Sequence, residues 1–553
     1  MTTHLRVAAS QFATTTDVEQ NLTTTQRAIE AAARERAHLV VLPEFCNHLS
    51  IYDDAEHAWE VAVELDDEWF ATVGGLAARH TMWIQLNVTL RRDRTTRRIT
   101  NTNVVFDPSG RVRALNDKTV LMGAEGDYLS CADEPSKLIQ TEFGRIGTYA
   151  CMDGVVPEVP RSVAARGATL MLNSLNSFAL DEASLHIPIR AAENRCFVVA
   201  CCKVGPLLPP DKQRIFSEAM GVPVDALTGA GESQIVGPEG TVLAKAPAHG
   251  EAVVVAEIDP TLPSRLRRPD GTDMWAARRP VLYAPLCAPT PPIDTHPRRE
   301  VVIAATATSV DAALDVVGGG ASLVVLPELT LDDDRIATLV SALQEPSNGV
   351  PAACIVATMR ELDAHIGVAI TADGIVGRQP QLHTTQRHAW ATDLGDRVVT
   401  IDLDWGRLGI IVGDDGIYPE VARMLALDSV DVIALPANSQ QPWETELCVV
   451  ERSAENRVIT VLSNPIDNPF GSVICDLPAD FTLWAPSRER AFDGTINQPM
   501  VTVSSHPEDV SLVVEVHPLR TVNRQISRGT DLVNGRPWQI CGPLAMGEVP
   551  PAQ

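Results

Sequence analysis

The sequence predicts an α/β fold, and two observations support that prediction. Short apolar runs typical of buried strands alternate with amphipathic stretches typical of helices along most of the chain. Polar residues stand where several of these strands end, as expected when strand-end loops carry a site. A chain of 553 residues is too long for one ordinary core, so we expect more than one domain.

The elements can be placed in order through the first half. We predict helices over 16–35, 55–80, 157–165 and 185–194, the first with Thr16 and Glu19 as its capping box. Predicted strands cover 5–10, 38–42, 83–90, 102–106, 111–118, 146–150, 169–173, 196–203 and 253–259, with a hairpin about 237–240. Pro43 ends the second strand and leaves Glu44 at its carboxyl tip.

The sequence then repeats itself, which indicates duplication of a whole domain. HLVVLPEF at 38–45 returns as SLVVLPEL at 322–329, GRIGTYACMDGVVPEV at 144–159 returns as GRLGIIVGDDGIYPEV at 406–421, and RAAENRCFVV at 190–199 returns as RSAENRVITV at 452–461. The offset falls from 284 to 262 residues, as expected if early loops of the second copy are shorter. We therefore expect domains at 1–286 and 300–544, a Pro-rich linker at 287–299 and a tail at 545–553.

Composition and charge narrow the function classes. A formal net charge of −26 and a pI near 4.9 leave no basic stripe for nucleic acid or an anionic membrane. No leader pattern opens the chain and no apolar run approaches a membrane span, so we expect a cytoplasmic protein. Eleven cysteines without paired spacing or accompanying histidines indicate neither a disulfide framework nor a zinc site.

Three polar residues of the first copy stand at strand ends: Glu44, Lys118 and Cys151. Cys151 lies on a turn before a predicted helix, where open backbone N–H groups favour a thiolate. If the three strands are neighbours in one sheet, their tips converge. A thiol nucleophile, a proton-shuttling carboxylate and an ammonium near a developing oxyanion suffice for acyl transfer from an amide.

These residues and their surroundings resemble the nitrilase, or carbon–nitrogen hydrolase, superfamily. The first matching motifs are LPE, which ends at Glu44, NTNVVFDPSGRV, which leads to Lys118, and EGDY, which begins at Glu125. They are followed by CMDG at 151–154, PE at 157–158, RAAENR at 190–195 and ESQIVGPEGTVL at 232–243. Their order and spacing agree across nearly all of residues 1–286.

The resemblance implies an αββα sandwich and a Glu–Lys–Cys triad with no metal or organic cofactor. Glu44 would be the general base and later acid, Lys118 would stabilise the tetrahedral intermediate, and Cys151 would form a thioester. The backbone N–H of Met152 would complete the oxyanion site, and Glu125 occupies the place of a supporting glutamate.

The second copy departs from this pattern. Gly413 stands where Cys151 stands, and counting from the turn glycines aligns Leu382 with Lys118, although Glu328 persists. His383 could be argued as a substitute for the lysine, but a satisfied histidine is the simpler interpretation. We therefore expect a degenerate, non-catalytic domain. Because family members pair two αββα units through a helical face, the resemblance implies an intramolecular pseudo-dimer, with further homo-oligomers left open.

The motif after the cysteine favours a substrate class. Cys-Met-Asp-Gly-Val-Val-Pro-Glu resembles amidase-type members more than nitrile hydrolases, so we expect a linear amide or carbamoyl substrate. Nitrile hydrolysis or acyl transfer by the same triad remains an alternative, and a catalytically silent binding or scaffold protein is one of another class. By position, loops 47–52 and 173–178 line the pocket, which makes Tyr52, Asn173 and Asn176 candidate substrate contacts. The loop 437–443, with Trp443, could reach across from the second copy.

Overall fold

The computed structural model describes residues 4–345, 352–484, 490–505 and 509–546. Residues 547–553 of the predicted tail lie outside the described residues. Among the helices that are described, none combines the length and the apolar character needed to cross a membrane.

The first half alternates strands and helices. Its strands are β1 (Leu5–Gln11), β2 (Leu39–Val41), β3 (Trp83–Asp93), β4 (Arg98–Phe106), β5 (Val112–Asp117), β6 (Ile139–Thr141), β7 (Gly144–Ala150), β8 (Leu170–Leu175), β9 (Phe197–Cys202), β10 (Val204–Pro206), β11 (Thr228–Ala230), β12 (Gln234–Val236), β13 (Val242–Lys245) and β14 (Ala252–Ile258). Its α-helices are α1 (Val18–Arg34), α2 (Ala55–Val61), α3 (Glu68–His80), α4 (Met152–Val155), α5 (Glu158–Ala165), α6 (Ile187–Asn194), α7 (Pro210–Met220) and α8 (Leu262–Arg265). A π-helical turn, Glu182–His186, leads into α6.

Two six-stranded sheets form the centre of this half, in the orders β14-β1-β2-β3-β4-β5 and β13-β12-β9-β8-β7-β6. Apolar side chains of both sheets, such as Val41 and Leu172, share the core between them. Helices α1 and α3 cover the outer face of the first sheet, and α5 and α6 cover the second. The αββα sandwich implied by the resemblance is confirmed, and in it the inner strand β2 of the first sheet packs against β8 and β9 of the second.

The second half repeats this architecture. Its strands are β15 (Val302–Ala307), β16 (Leu323–Val325), β17 (Cys354–Glu361), β18 (Ala364–Thr371), β19 (Gly374–Pro380), β20 (Thr400–Leu403), β21 (Gly406–Ile410), β22 (Val432–Pro436), β23 (Ile459–Ser463), β24 (Val473–Asp476), β25 (Met500–Val503), β26 (Ser511–Val516), β27 (Gln525–Ser527) and β28 (Thr530–Asp531). Its α-helices are α9 (Val310–Gly318), α10 (Asp333–Gln344), α11 (Pro419–Leu427), α12 (Val449–Asn456) and α13 (Gly542–Ala545). The sheet orders are β19-β18-β17-β16-β15-β26 and β20-β21-β22-β23-β24-β25.

The two halves pack through α5 and α6 of the first and α11 and α12 of the second, around one shared apolar core. Buried ion pairs cross this interface with pseudo-twofold symmetry. Arg161 pairs with Glu420 at 2.8 Å, and Arg423, 262 positions after Arg161, pairs with Glu158 at 2.9 Å. The same offset relates the pair Arg190–Glu455 to the pair Arg452–Glu193. The domain limits at 286, 299 and 544 remain predictions.

Two local predictions were wrong. The predicted helix over 55–80 is two helices, because Val63 lies in a bridge with Leu90 and its N–H donates to the carbonyl of Thr89. This pairing with β3 interrupts the helical hydrogen bonds. Helix α1 is capped by Asp17 rather than by Thr16, since the Asp17 carboxylate accepts the N–H groups of the two residues that follow Val18.

Candidate active site

Cys151 lies on the turn between β7 and α4, as predicted. Its φ of +47° falls in the left-handed region, which costs a residue with a side chain about 1–3 kcal/mol. Two hydrogen bonds hold this conformation, because the Cys151 N–H donates to the carbonyl of Ser174 at 3.0 Å and to Oδ1 of Asn173 at 3.1 Å. The turn presents the half-buried thiol to a cavity. Asn173 therefore positions the cysteine and is not among the residues that line the cavity.

Asp153 ties the cysteine turn to the end of β5. Its Oδ1 accepts the N–H groups of Thr119 and Val120 at 3.0 and 2.8 Å, and its Oδ2 accepts the N–H of Ala150 at 3.1 Å. Lys118, the residue before Thr119, is thereby fixed beside the cysteine turn. The persistence of an aspartate at 415 in the second copy indicates a role in folding of the turn, but the contacts of Asp153 with the end of β5 were not predicted.

Lys118 is the centre of a buried charge cluster. Its Nζ lies 2.8 Å from Oε1 of Glu44 and 2.8 Å from Oε2 of Glu125. Burial opposes the lysine's charge, but the carboxylates of Glu125 and Glu44 outweigh it and raise the pKa of Lys118 well above its usual range. Lys118 is therefore a permanent cation. The two glutamates named from the sequence both contact it.

Glu44 is held in place by groups from both sheets. Its N–H donates to the carbonyl of Leu175 at 3.2 Å, and its Oε1 accepts from Nδ2 of Asn101 at 2.6 Å as well as from Lys118. Oε2 is buried and has no hydrogen-bond partner among the described residues. One carboxylate oxygen is thus fixed and the other is open to accept a proton. Asn101, within the NTN stretch before Lys118, was missed as a contributor.

The environment of Cys151 raises its pKa rather than lowering it. Burial is the largest cause, the charge of Glu44 adds to it, and Lys118 opposes both. This differs from the expectation that the helix start favours a thiolate, because α4 has only four residues and a carboxylate lies nearby. The thiol is therefore protonated at neutral pH and needs a base to become nucleophilic.

A cavity of about 150 Å³ opens in front of the thiol. Glu125, Met152 and Asn176 line it, and Nδ2 of Asn176 donates to Oγ of Ser50 at 2.9 Å. Tyr52 is not among the lining residues, since its buried hydroxyl bonds with Thr89 at 2.9 Å behind the pocket wall. Of the three candidate substrate contacts, the structure brings Asn176 to the cavity and leaves Asn173 and Tyr52 behind it.

The π-helical turn adds two titratable groups to the cavity wall. Burial raises the pKa of Glu182 to about 7, with His186 opposing. Burial works against the charge of His186, but Glu451, 2.9 Å away in the second half, raises the pKa of His186 to about 10. Glu182 can therefore gain or lose a proton near neutral pH, while His186 stays charged and paired. Neither residue was named from the sequence.

The corresponding site of the second half is closed by salt bridges. Gly413 has a φ of +50°, and a Cβ atom added to it would lie 2.3 Å from Oε1 of Glu328. Arg387 donates to Oε2 of Glu328 at 2.6 Å and to Oδ2 of Asp414 at 2.7 Å, and Arg268 of the first half donates to Oδ1 of Asp414 at 2.6 Å. Arg387 thus lies beside Gly413 and pairs with the carboxylate that corresponds to Glu44.

The alignment of Leu382 with Lys118 is off by one residue. The aspartate two residues after each nucleophile position provides the register: Asp153 accepts the N–H of Thr119, and Asp415 accepts the N–H of Leu382. Gln381, the residue before Leu382, is therefore the equivalent of Lys118. Counting failed because the β4–β5 turn is longer than the β18–β19 turn, so the two turn glycines are not equivalent.

Two other second-half residues are structural. His383 is buried, with Nδ1 2.8 Å from Oδ1 of Asp415 and Nε2 2.6 Å from the hydroxyl of Tyr283, so it does not replace the lysine. Trp443 does not reach the cavity, because its Nε1 donates to Oε1 of Gln441 within its own loop.

A metal could be sought where Glu328, His365 and His388 bring their ligand atoms within 4.8 Å of one another. Both ring nitrogens of His365 are already 2.8 Å from side-chain partners, and Glu328 is paired with Arg387. The donor set is therefore occupied by protein groups.

Comparison with known proteins covers the first half. Residues 6–268, just under half of the chain, match the family model for carbon-nitrogen hydrolases. The chain is 26% identical over 291 residues to the nitrilase and fragile histidine triad fusion protein NitFhit of Caenorhabditis elegans, covering 50% of this chain and 61% of that protein. The crystal structure of that protein matches with a TM-score of 0.43 at 25% identity, covering 50% of this chain and 65% of the other.

Two further relatives have similar identity. A nitrilase of Pyrococcus abyssi is 28% identical over 265 residues, covering 48% of this chain and 93% of that protein. The chloroplastic omega-amidase of Arabidopsis thaliana is 29% identical over 279 residues, covering 46% of this chain and 68% of the relative. The chain spans about three fifths of NitFhit and larger shares of these two.

Proposed function

The first half of this chain, over residues 6–268, belongs to the carbon–nitrogen hydrolase family, and we propose that it hydrolyses the C–N bond of a linear amide or carbamoyl compound through a thioester on Cys151. The observation that carries this proposal is the cluster in which Lys118 joins Glu44 and Glu125 beside the thiol. The second half, with its site closed by arginines, is proposed to have no activity of its own.

In the first step, Oε2 of Glu44 accepts the thiol proton while Sγ of Cys151 attacks the carbonyl carbon of the amide. The open oxygen of Glu44 and the protonated state of Cys151 fit this division of roles. The C–N bond then breaks as Glu44 returns the proton to the leaving nitrogen. Ammonia or an amine departs, and the acyl group remains on sulfur as a thioester.

In the second step, Glu44 takes a proton from a water molecule that attacks the thioester. The C–S bond breaks, the carboxylic acid leaves and the thiol regains its proton. The sum is one amide and one water converted into one acid and one ammonia or amine. No oxidant or further reactant is needed.

Both tetrahedral intermediates carry a negative oxygen. Lys118 supplies a permanent positive charge near it, and Met152, the first residue of α4, has a backbone N–H without an acceptor within its helix. A removed donor of this kind costs other acyl-transfer sites about 10²–10³ in rate. Both carboxylate oxygens of Glu125 accept hydrogen bonds from the same ammonium, which fixes it for this task.

Among acyl substrates, the amide class is favoured by two features. The stretch after Cys151 resembles amidase-type members, and two relatives are named omega-amidase and deaminated glutathione amidase. Nitrile hydrolysis is the second candidate, since the relative from Pyrococcus abyssi is named nitrilase.

The test is ammonia release from a panel of short amides, carbamoyl compounds and nitriles. Wild type and a Cys131→Ala control, which loses an exposed thiol, should release ammonia at equal rates, and Cys151→Ala should release none. Acid quenching during turnover, followed by peptide mass analysis, should find the acyl group on the peptide that contains Cys151. Equal activity of Cys151→Ala and wild type would exclude the mechanism. If wild type and both variants release no ammonia while ligands still raise the melting temperature, a binding protein would be favoured.

A further inference from the structure

The half without a triad forms one wall of the cavity in front of Cys151. Leu483, Trp484, Ile496 and Ile526 of the second half line it, together with Asn497 and Ser527. We infer that the second half selects the acyl group, and that the preferred substrate is an amide whose acyl part is apolar and uncharged. This inference rests on the proposed hydrolase function and specifies its substrate.

One segment of this wall is fixed to the first half by a group of hydrogen bonds. The N–H of Leu180 donates to the carbonyl of Gly494 at 2.8 Å. Oδ2 of Asp181 accepts the N–H groups of Ile496 and Asn497, each at 3.0 Å. These bonds join the chain next to the π-helical turn to the second-half segment, so Ile496 has a defined place at the cavity.

A second segment is fixed to the loop that carries Glu125. Oγ1 of Thr530 accepts the N–H of Gly123 at 3.0 Å and donates to the carbonyl of Leu121 at 2.9 Å. Arg528 pairs with Asp127 at 2.6 Å. The strand β27, with Ile526, is thereby held against the cavity on the side of the supporting glutamate.

The chemistry of the lining determines which acyl groups fit. The first half adds further apolar side chains, among them Phe178, Phe216 and Met220. No arginine or lysine is among the residues that line this cavity in the described part of the chain, whereas the carboxyl groups of Asp181 and Glu182 are. The charge of His186 is taken up by Glu451. A carboxylate on the acyl chain would find no cation to pair with, and burying it unpaired is costly.

The cavity volume also favours acyl groups longer than that of acetamide. About 150 Å³ holds considerably more than the one-carbon side of acetamide, so an unfilled cavity would leave its apolar walls without contacts. Each additional methylene packed against such walls changes kcat/KM by about tenfold or more. We therefore expect kcat/KM to rise with chain length through the short aliphatic amides.

The experiment measures kcat/KM for linear amides from acetamide to octanamide and for the ω-carboxylate monoamide of each longer chain. Wild type should prefer a mid-length amide over acetamide by about tenfold or more and over the carboxylate analogue of equal length by at least as much. Ile496→Ala should move the optimum to longer chains and Ile496→Trp to shorter ones. Leu519→Ala, an exposed second-half side chain that does not line the cavity, is the control and should leave the profile unchanged.

The outcomes separate the inference from the function on which it rests. If wild type hydrolyses no amide in the series or in the broader panel, the proposed function fails. If it hydrolyses amides but neither Ile496 variant moves the optimum, or the carboxylate analogues are preferred, the inference alone fails. Should Ile496→Trp not reach the wild-type melting temperature, Ile526→Ala provides the second measurement and should also move the optimum to longer chains.

Discussion

Nζ of Lys118 lies 2.8 Å from Oε1 of Glu44, and neither side chain has any solvent-exposed surface. A second carboxylate, that of Glu125, contacts the same ammonium and is itself largely buried. One buried cation thus pairs with two carboxylates. Replacing Lys118 and replacing one of its glutamate partners should therefore change the free energy of unfolding by different amounts.

Replacing the cation should destabilise the fold more than replacing either anion. Lys118→Met leaves two buried carboxylates unpaired and should lower the free energy of unfolding by about 3–5 kcal/mol. Glu44→Gln keeps the pair of Lys118 with Glu125 and should change it by about 1 kcal/mol or less. Both variants should lose hydrolysis, and chemical denaturation measures the difference between them.

The control for this comparison is Lys245→Met, which removes a partly exposed pair with Glu232. It should cost no more than about 1 kcal/mol. Equal destabilisation by Lys118→Met and Glu44→Gln would contradict the asymmetry of the cluster.

Restoring a nucleophile should not restore activity in the second half. In a Cys151→Ala background, Gly413→Cys places a side chain at φ +50° and against Glu328, with Gln381 where a lysine is needed. We expect no ammonia release. The left-handed conformation alone should cost about 1–2 kcal/mol of stability. Gly318→Ala, where an added Cβ meets nothing within 4 Å, is the matched control and should be near neutral.

Glu182 should make stability fall as pH rises. Burial raises its pKa from 4.5 to about 7, so between these values the folded state binds more protons than the unfolded state. The contribution of Glu182 to the free energy of unfolding is fully present below about pH 4.5 and is lost as the pH rises through about 7. Between about pH 4 and pH 8 the wild-type free energy of unfolding should fall by on the order of 3 kcal/mol more than that of Glu182→Gln.

Urea denaturation at several pH values measures this difference. Glu134→Gln, on an exposed side chain, controls for the loss of a carboxylate from the surface. A Glu182→Gln curve parallel to wild type across this range would show that the carboxyl of Glu182 does not carry the effect.

The interface between the halves should behave as part of one cooperative unit. Arg423→Met leaves Glu158 buried without its 2.9 Å partner and should cost about 3–5 kcal/mol, while Arg423→Met with Glu158→Gln should recover most of that loss. Arg27→Met, which breaks the exposed pair with Glu251, should cost at most about 1 kcal/mol. Two separate unfolding transitions in wild type would argue against a shared core.

The repeat and its loss of chemistry could be predicted from the sequence, because both depend on local patterns. Glu44 and Lys118 follow β2 and β5 of the first sheet and Cys151 follows β7 of the second, so the three side chains meet across the sandwich rather than along one sheet. The substitution at Gly413 needed only the offset of 262 residues that the motifs at 144–159 and 190–199 share. The lysine equivalent was misplaced by one residue because a turn of different length hides the register until the strands are paired.

The ionisation of Cys151 could not be predicted in this way. A helix start in the sequence suggested a stabilised thiolate, but the pKa depends on burial and on Glu44, a hundred positions away. The roles of Asn101 and Asp153 were likewise missed, since Asn101 lies inside β4 with no local signal and an aspartate near a turn is usually a local cap. Whether such a side chain lies beside a catalytic residue depends on how the two sheets pack in the tertiary structure.

The sequence by itself determined the α/β class, the duplication and which copy kept a nucleophile, because strand periodicity, repeat spacing and residue identity are written along the chain, and the sandwich was implied by the family resemblance. Only the tertiary structure decided what faces Cys151. Ile496 and Ile526 read as ordinary core residues, since an apolar side chain has the same pattern whether it fills a core or lines a cavity. They reach the cavity because α5, α6, α11 and α12 bring the two halves together, a relationship that involves residues more than two hundred positions apart.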